Sequence, residues 1–284
     1  MSNKIAWVTD SASSLSKEFC EENHIYVVPM NLILGETSYR DGVDLSKEEF
    51  YEKLKDNQEI AKTSQPAYGE FIELYEMLKE KYDRVIAVHA SSKLTGTYQS
   101  SLSAKEMTGF TEVEVIDSHI GDYCLNYMIE KGVALQKAGK SFEEIVAAIR
   151  KLTKQTTMYL MPMSLEQLKK SGRVSTMQNL LASVLNIKLI LTFDDEGRII
   201  VDEKMRSDKK MKSYIFGKIN QAYQEGVRTI CFSHAMNLEL VNQWQSELRE
   251  MYADLRLLTQ IFVPIAGVHT GYGTVTLSWV NEQA

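Results

Sequence analysis

Through the first half of the chain, short β-branched or apolar runs alternate with amphipathic stretches of helical period. That rhythm restricts the fold to α/β layers built on a largely parallel sheet. Ile5 to Thr9, Tyr26 to Val28, Val85 to Val88 and Val113 to Ile116 read as buried strands. Ser46 with Glu49, and Ser141 with Glu144, fit the capping-box pattern in front of apolar periodicity, so each marks a helix start.

Near Met161 the rhythm changes. A short helix, a Ser171-Gly172-Arg173 turn and another helix lead to two apolar runs, Leu189 to Phe193 and Ile199 to Val201, around Asp194-Asp195-Glu196-Gly197. Two such runs about a turn predict a hairpin. Beyond it come a helix over Lys210 to Glu225, a strand over Thr229 to Ser233, a helix over Leu238 to Met251, and strands near Gln260 to Val263 and Thr274 to Trp279. The expected architecture is two α/β domains, residues 1–162 with a mostly parallel sheet and residues 163–284 with a mixed sheet. A length of 284 residues accommodates both, with a core large enough to enclose a small ligand.

A formal net charge of −6, with both signs mixed along the chain, supplies no basic stripe for nucleic-acid phosphates. Cys20, Cys124 and Cys231 are far apart and odd in number, which argues against a zinc site or disulfide framework and fits a reducing cytoplasm. The apolar run Ile5 to Val8 is too short for a signal peptide. Leu180 to Phe193, interrupted by Asn186 and Lys188, falls short of the ~20 apolar residues of a membrane span, although docking to a membrane surface stays open.

Several segments place polar side chains where elements meet. Thr9-Asp10-Ser11 stands where the first strand ends and a helix over Ser14 to Glu22 is expected, at the sheet edge where ligands of α/β proteins lie; N-capping is the simpler account. Thr63-Ser64-Gln65-Pro66 also precedes a helix, with Pro66 near its first turn. Ser91-Ser92-Lys93-Leu94-Thr95-Gly96-Thr97 follows the strand ending at His89 and combines hydroxyls, a glycine and a helix N-terminus, the outline of an anion site. Capping explains those hydroxyls equally well. His269-Thr270-Gly271-Tyr272-Gly273 precedes the final strand, so its Gly-x-Gly is no dinucleotide fingerprint, and a lone His is more often structural. Gly139-Lys140-Ser141 is no phosphate loop, because Ala134 stands where a glycine is required.

Together these segments resemble the DegV family across nearly the whole chain. The shared order is Thr9-Asp10-Ser11, Tyr39-Arg40-Asp41-Gly42, Thr63-Ser64-Gln65-Pro66, Ser91 to Thr97, Asp117-Ser118, Leu165-Glu166-Gln167-Leu168 running into Gly172-Arg173, and His269-Thr270-Gly271. Each motif is weak alone, and their common register carries the likeness. The resemblance implies a non-catalytic cytoplasmic carrier without metal or cofactor. It would hold one palmitate-, stearate- or oleate-like fatty acid, with the tail inside the N-terminal domain. The carboxylate would meet Thr63, Thr95, Gly96 and His269, with Ser11, Ser92 and Gly271 in support. Arg173 and Arg206 match family arginines near the carboxylate end and the surface facing a separate fatty acid kinase of the dihydroxyacetone-kinase type, which makes acyl-phosphate for phospholipid synthesis. This sequence departs from the family pattern with Thr95 for a common Ser, and with Tyr272 and Leu189 for common prolines.

Burying ~14 methylenes at ~0.8 kcal/mol each yields roughly 11 kcal/mol, against an association cost of ~4 to 15 kcal/mol. Affinity then depends on not stranding the carboxylate. The competing class is an acyl-transfer or hydrolase enzyme in which a Ser or Thr hydroxyl is activated by His269. The sequence has no Gly-x-Ser-x-Gly elbow and no orienting acid apparent from spacing.

Overall fold

The computed structural model describes residues 4–56, 61–174 and 187–283. The first part of the chain runs β1 (Ile5–Asp10), α1 (Lys17–Glu22), β2 (Ile25–Val28), β3 (Asn31–Leu34), β4 (Thr37–Arg40), α2 (Lys47–Asp56), β5 (Lys62–Ser64), α3 (Tyr68–Lys81), β6 (Arg84–His89), α4 (Thr97–Thr108), β7 (Val113–Asp117), α5 (Asp122–Lys137) and α6 (Phe142–Leu152). The second part runs β8 (Thr156–Met161), α7 (Leu165–Ser171), β9 (Lys188–Phe193), β10 (Ile199–Met205), α8 (Asp208–Gln224), β11 (Thr229–His234), α9 (Leu238–Met251), β12 (Arg256–Ile261), α10 (Pro264–Thr270) and β13 (Val275–Val280).

Three sheets result. The first is wholly parallel, in the order β2-β1-β6-β7. Every residue of β1 is buried, as expected where helices cover both faces of a parallel sheet. Ala6, Val8, Val85 and Ala87 face α3 and α4, whereas Ile5, Trp7, Ile86 and Val88 face a core shared with α5 and α6. The second sheet is mixed, in the order β10-β9-β8-β13-β11-β12, with only β11 and β12 parallel. Its outer face packs on α8 and α9. The third is a small antiparallel sheet, β4-β3-β5, which the sequence did not announce.

Helix α5 lies between the two large sheets. It buries Tyr123, Leu125, Met128, Ile129 and Val133 on a wide apolar face and leaves Glu130, Ala134 and Lys137 exposed along one stripe. Gly132 is required there: a Cβ at that position would fall 2.2 Å from Trp7 Cη2.

The capping boxes expected at Ser46 and Ser141 both form. The hairpin over Asp194 to Gly197 forms as well, with a bulge between Val201 and Glu203. Its tip reaches back to the parallel sheet, where Ser91 Oγ donates to the Gly197 carbonyl at 2.7 Å.

Other expectations need correction. The first helix starts at Lys17 with Ser16 as its cap, so Asp10 and Ser11 are free for other bonds. Thr63 pairs in β5 instead of capping α3, whose N-cap is Ala67. The strand expected near Gln260 to Val263 ends at Ile261, because Pro264 opens α10, and His269 lies on that helix instead of in a loop. β8 is hydrogen-bonded into the mixed sheet between β13 and β9. The helix expected after the Ser171-Gly172-Arg173 turn falls largely on residues outside those described.

Candidate functional site

A cavity of about 320 Å³ lies between the carboxyl ends of the parallel strands and the inner face of the mixed sheet, at the low end of the ~300 to 1,000 Å³ usual for small-molecule sites. Small residues beyond two adjacent parallel strands, Ala12 and Ala90, leave room for it. Met30, Met158, Leu160, Leu168, Phe262 and Ile265 make much of its wall apolar.

Polar groups on the wall come from several elements, among them Asp122 at the start of α5. Thr63 arrives on β5, Thr95 and Gly96 stand at the start of α4, His269 projects from α10, and Arg173 follows α7. Thr63 Oγ1 and His269 Nε2 are 2.9 Å apart. Burial, assisted by the Arg173 guanidinium, lowers His269 to about 4, so the imidazole is neutral at pH 7. Arg173 itself is exposed and donates to the Ser171 carbonyl at 2.6 Å. Gly96 is the N-cap of α4 and offers no side-chain cap. The hydroxyls of Thr95 and Thr97 bond at 2.8 Å, and Thr97 N lies 3.4 Å from Thr95 Oγ1. A helix N-terminus, two threonine hydroxyls and an imidazole on one wall suit a carboxylate or phosphate.

Gln65, which sequence reading left without a role, also lines the cavity and donates to Ser100 Oγ at 2.8 Å. Its amide fills the place where a side chain on Gly96 would begin, since a Cβ there would lie 1.8 Å from Gln65 Oε1. Glycine at this position lets Gln65 lie flat over the helix start.

The remaining expected residues sit further out. Ser11 Oγ accepts from the backbone N–H of Met30 at 3.1 Å and so fixes a residue of the wall. Ser92 is held by its backbone N–H on Asp117, and its side chain is not part of the wall. Gly271 ends α10 with φ +92, and a Cβ there would meet Ser164 Cβ at 2.7 Å. Arg206 is exposed just after β10, away from the cavity wall.

Two buried constellations escaped sequence reading. Asp10 accepts from Ala12 N at 3.0 Å, Ala90 N at 3.1 Å and His89 Nδ1 at 3.2 Å. His89 Nε2 meets Ser101 Oγ at 2.9 Å, and Ser101 Oγ meets the Tyr75 hydroxyl at 2.5 Å. All four side chains are buried, and the chain ties the backbone of two wall residues to α4. Asp122 opens α5 at φ +53 and accepts from Ser14 Oγ, Ser233 Oγ and Gln260 Nε2. Because Ser233 and Gln260 belong to the mixed sheet, Asp122 joins the two layers. Its strained backbone could not be anticipated from Gly121-Asp122 alone.

Among the described residues no group of three or more His, Cys, Asp or Glu side chains is arranged to hold a metal ion, and no helix is long and apolar enough to cross a membrane.

The same fold recurs in known proteins. A family model described as "Uncharacterised protein, DegV family" matches residues 4–282. A DegV domain-containing protein of Listeria innocua is 34% identical over 281 residues, covering 98% of this chain and 99% of the relative. The crystal structure of DegV from Bacillus subtilis, described as a fatty acid binding protein, superposes with a TM-score of 0.89 at 32% identity, covering 99% of this chain and all of that one (100%). A DegV family protein from Thermus thermophilus, whose structure is described by its fatty acid binding, gives a TM-score of 0.85 at 27% identity over 98% of this chain and 99% of its own. Matched from Lys4 to Glu282 and sharing the two-layer fold, this chain belongs to the DegV family.

Proposed function

We propose that this chain binds one long-chain fatty acid, palmitate-, stearate- or oleate-like, in the cavity between its sheets and presents the carboxylate to a separate fatty acid kinase in the cytoplasm. The carrying observation is the contrast within one cavity: an apolar wall, and Thr63, Thr95, Gly96 and His269 converging on it beside Arg173. The fatty acid binding of the relatives from Bacillus subtilis and Thermus thermophilus supports the ligand class.

In this arrangement the carboxylate accepts from the Thr63 and Thr95 hydroxyls and the Gly96 N–H, while the tail lies along Met30, Met158, Leu160 and Phe262. Parts of the chain on both sides of residue 162 contribute, the N-terminal part enclosing most of the tail. With its proton on Nε2 the neutral imidazole of His269 donates to Thr63 Oγ1, and this tautomer leaves the Thr63 hydroxyl able to donate to the ligand. Arg173 at the cavity and exposed Arg206 serve the kinase-facing surface. Hydrolysis is the competing chemistry. The Asp10-His89-Ser101 chain has the residue types of a hydrolase triad, but it is sealed from solvent and its serine already bonds to Tyr75.

Native mass spectrometry of freshly purified protein, followed by lipid extraction, is the test. One long-chain fatty acid per chain is the expected result. Protein that is lipid-free and also fails to take up saturated or monounsaturated fatty acids would overturn the assignment.

A further inference from the structure

We propose that Tyr51 is a positioning residue for His269, holding the short helix α10 so that the imidazole meets Thr63. Tyr51 is fully buried on α2, and its hydroxyl donates to the Phe262 carbonyl at 3.1 Å, just ahead of α10. The same ring presses on the middle of that helix. A Cβ on Gly267 would lie 2.2 Å from the Tyr51 hydroxyl oxygen and 2.7 Å from two ring carbons. One side chain therefore fixes both the entry of α10 and the turn that carries His269.

Such a clamp is needed because α10 has only seven residues, too few to hold a direction by itself. Its far end is secured differently: the Thr270 carbonyl accepts from Met163 N and Ser164 N, each at 3.1 Å. His269 sits between these two attachments. Phenylalanine would fill the space left by Tyr51 but would leave the Phe262 carbonyl without this donor, and a buried tyrosine hydroxyl is stable only when bonded. Burial, with Asp122 and Asp41 nearby, pushes the Tyr51 hydroxyl well above its ordinary value, so it remains a donor at any working pH.

The importance of this clamp rests on His269 as a head-group ligand, but its test separates the two ideas. In full-length Tyr51→Phe, the His269 imidazole is titrated by NMR in delipidated protein, and fatty acid affinity is measured in parallel. Tyr252→Phe is the control, because that hydroxyl bonds to Asn220 at 2.9 Å on the outer side of the mixed sheet. The expected result is a His269 titration that moves from about 4 towards its ordinary value in Tyr51→Phe but not in Tyr252→Phe. Affinity should fall about tenfold, the size of one ordinary hydrogen bond. Gly267→Ala, which pushes the ring off the helix, should move the titration the same way.

If Tyr51→Phe lowers the melting temperature like the control yet leaves the His269 titration unchanged, Tyr51 is a packing residue and the assignment is overturned. A shifted titration with unchanged affinity, together with normal binding by His269→Ala, supports the clamp and instead removes His269 from the head-group site.

Discussion

The Thr63 hydroxyl meets Nε2 of His269 across 206 positions of sequence, so the small antiparallel sheet and helix α10 are locked together at the cavity. Thr63→Val keeps the shape and removes the bond, leaving a part-buried ring nitrogen without this partner at a cost of about 1 kcal/mol. Denaturant titration should show that loss, with weaker fatty acid binding alongside. A variant as stable as the parent would mean that the imidazole finds another partner.

The depressed His269 sets a pH dependence of stability. Its value is about 4 in the fold and about 6.5 in the unfolded chain, so between these limits the unfolded state holds more protons. The contribution is therefore complete above pH 6.5 and is lost as pH falls towards 4, by about 2 kcal/mol at pH 5. Asp41 acts in the opposite sense: burial raises it to about 7, against the Ser11 hydrogen bond, and its contribution fades as pH rises through the interval from about 4. Comparison with His269→Gln at pH 7.5 and pH 5 isolates the imidazole. Parallel pH dependence in the two proteins would remove His269 as its source.

Binding should show the reverse sign. A carboxylate beside His269 favours the imidazolium, so its value rises in the complex and fatty acid binding takes up protons. Affinity is expected to increase from pH 7.5 to pH 5.5, and this increase should disappear in His269→Gln. Calorimetry in buffers of different ionisation enthalpy counts the protons directly.

Thr95→Ser keeps the hydroxyl that bonds to Thr97, whereas Thr95→Ala removes it from the start of α4. The serine variant should bind fatty acid almost normally, and the alanine variant should lose about 1 kcal/mol of stability as well as affinity. Equal damage from both would point to the methyl group and its packing.

His89→Phe breaks the buried chain between Asp10 and Ser101 and leaves a carboxylate without one of its partners, a change that costs about 1 to 3 kcal/mol. Ser101→Ala is milder. If the protein is a carrier, Ser101→Ala loads fatty acid normally; an acyl-ester substrate cleaved by the parent and not by this variant would make the chain a hydrolase.

Arg173→Ala and Arg206→Ala test the handover to a kinase. Normal melting temperature and lipid content with failed acyl-phosphate formation by the partner kinase is the expected outcome. Lipid content falling in step with activity would assign these arginines to retention of the ligand.

The parts legible in sequence are those with local causes. Buried strands such as Val85 to Val88 announce themselves by unbroken apolar runs, and α6 by Ser141 and Glu144. The β4-β3-β5 sheet was hidden because β5 has only three residues, Lys62 to Ser64, with too little pattern to identify. Helix α10 was hidden because Ile265, Ala266 and Val268 follow Phe262 and Val263 as one apolar run, in which a two-turn helix resembles a strand. Thr63, Thr95 and His269 stood out as polar groups at element ends. Asp10 and His89 did not reveal their partnership, because nothing local to either says that β1 and β6 are neighbours.

Strand β13 pairs with β8 on one side and β11 on the other, and both precede it in the chain. Until it inserts, β10-β9-β8 and β11-β12 share no hydrogen-bonded edge, and each exposes an open strand able to pair with another molecule. Closing the mixed sheet therefore requires β13 to enter between strands from two earlier parts of the chain, a non-local pairing of the kind that slows folding. A molecule in which β13 is unpaired presents both edges to its neighbours, so aggregation competes with closure of the sheet that walls the cavity.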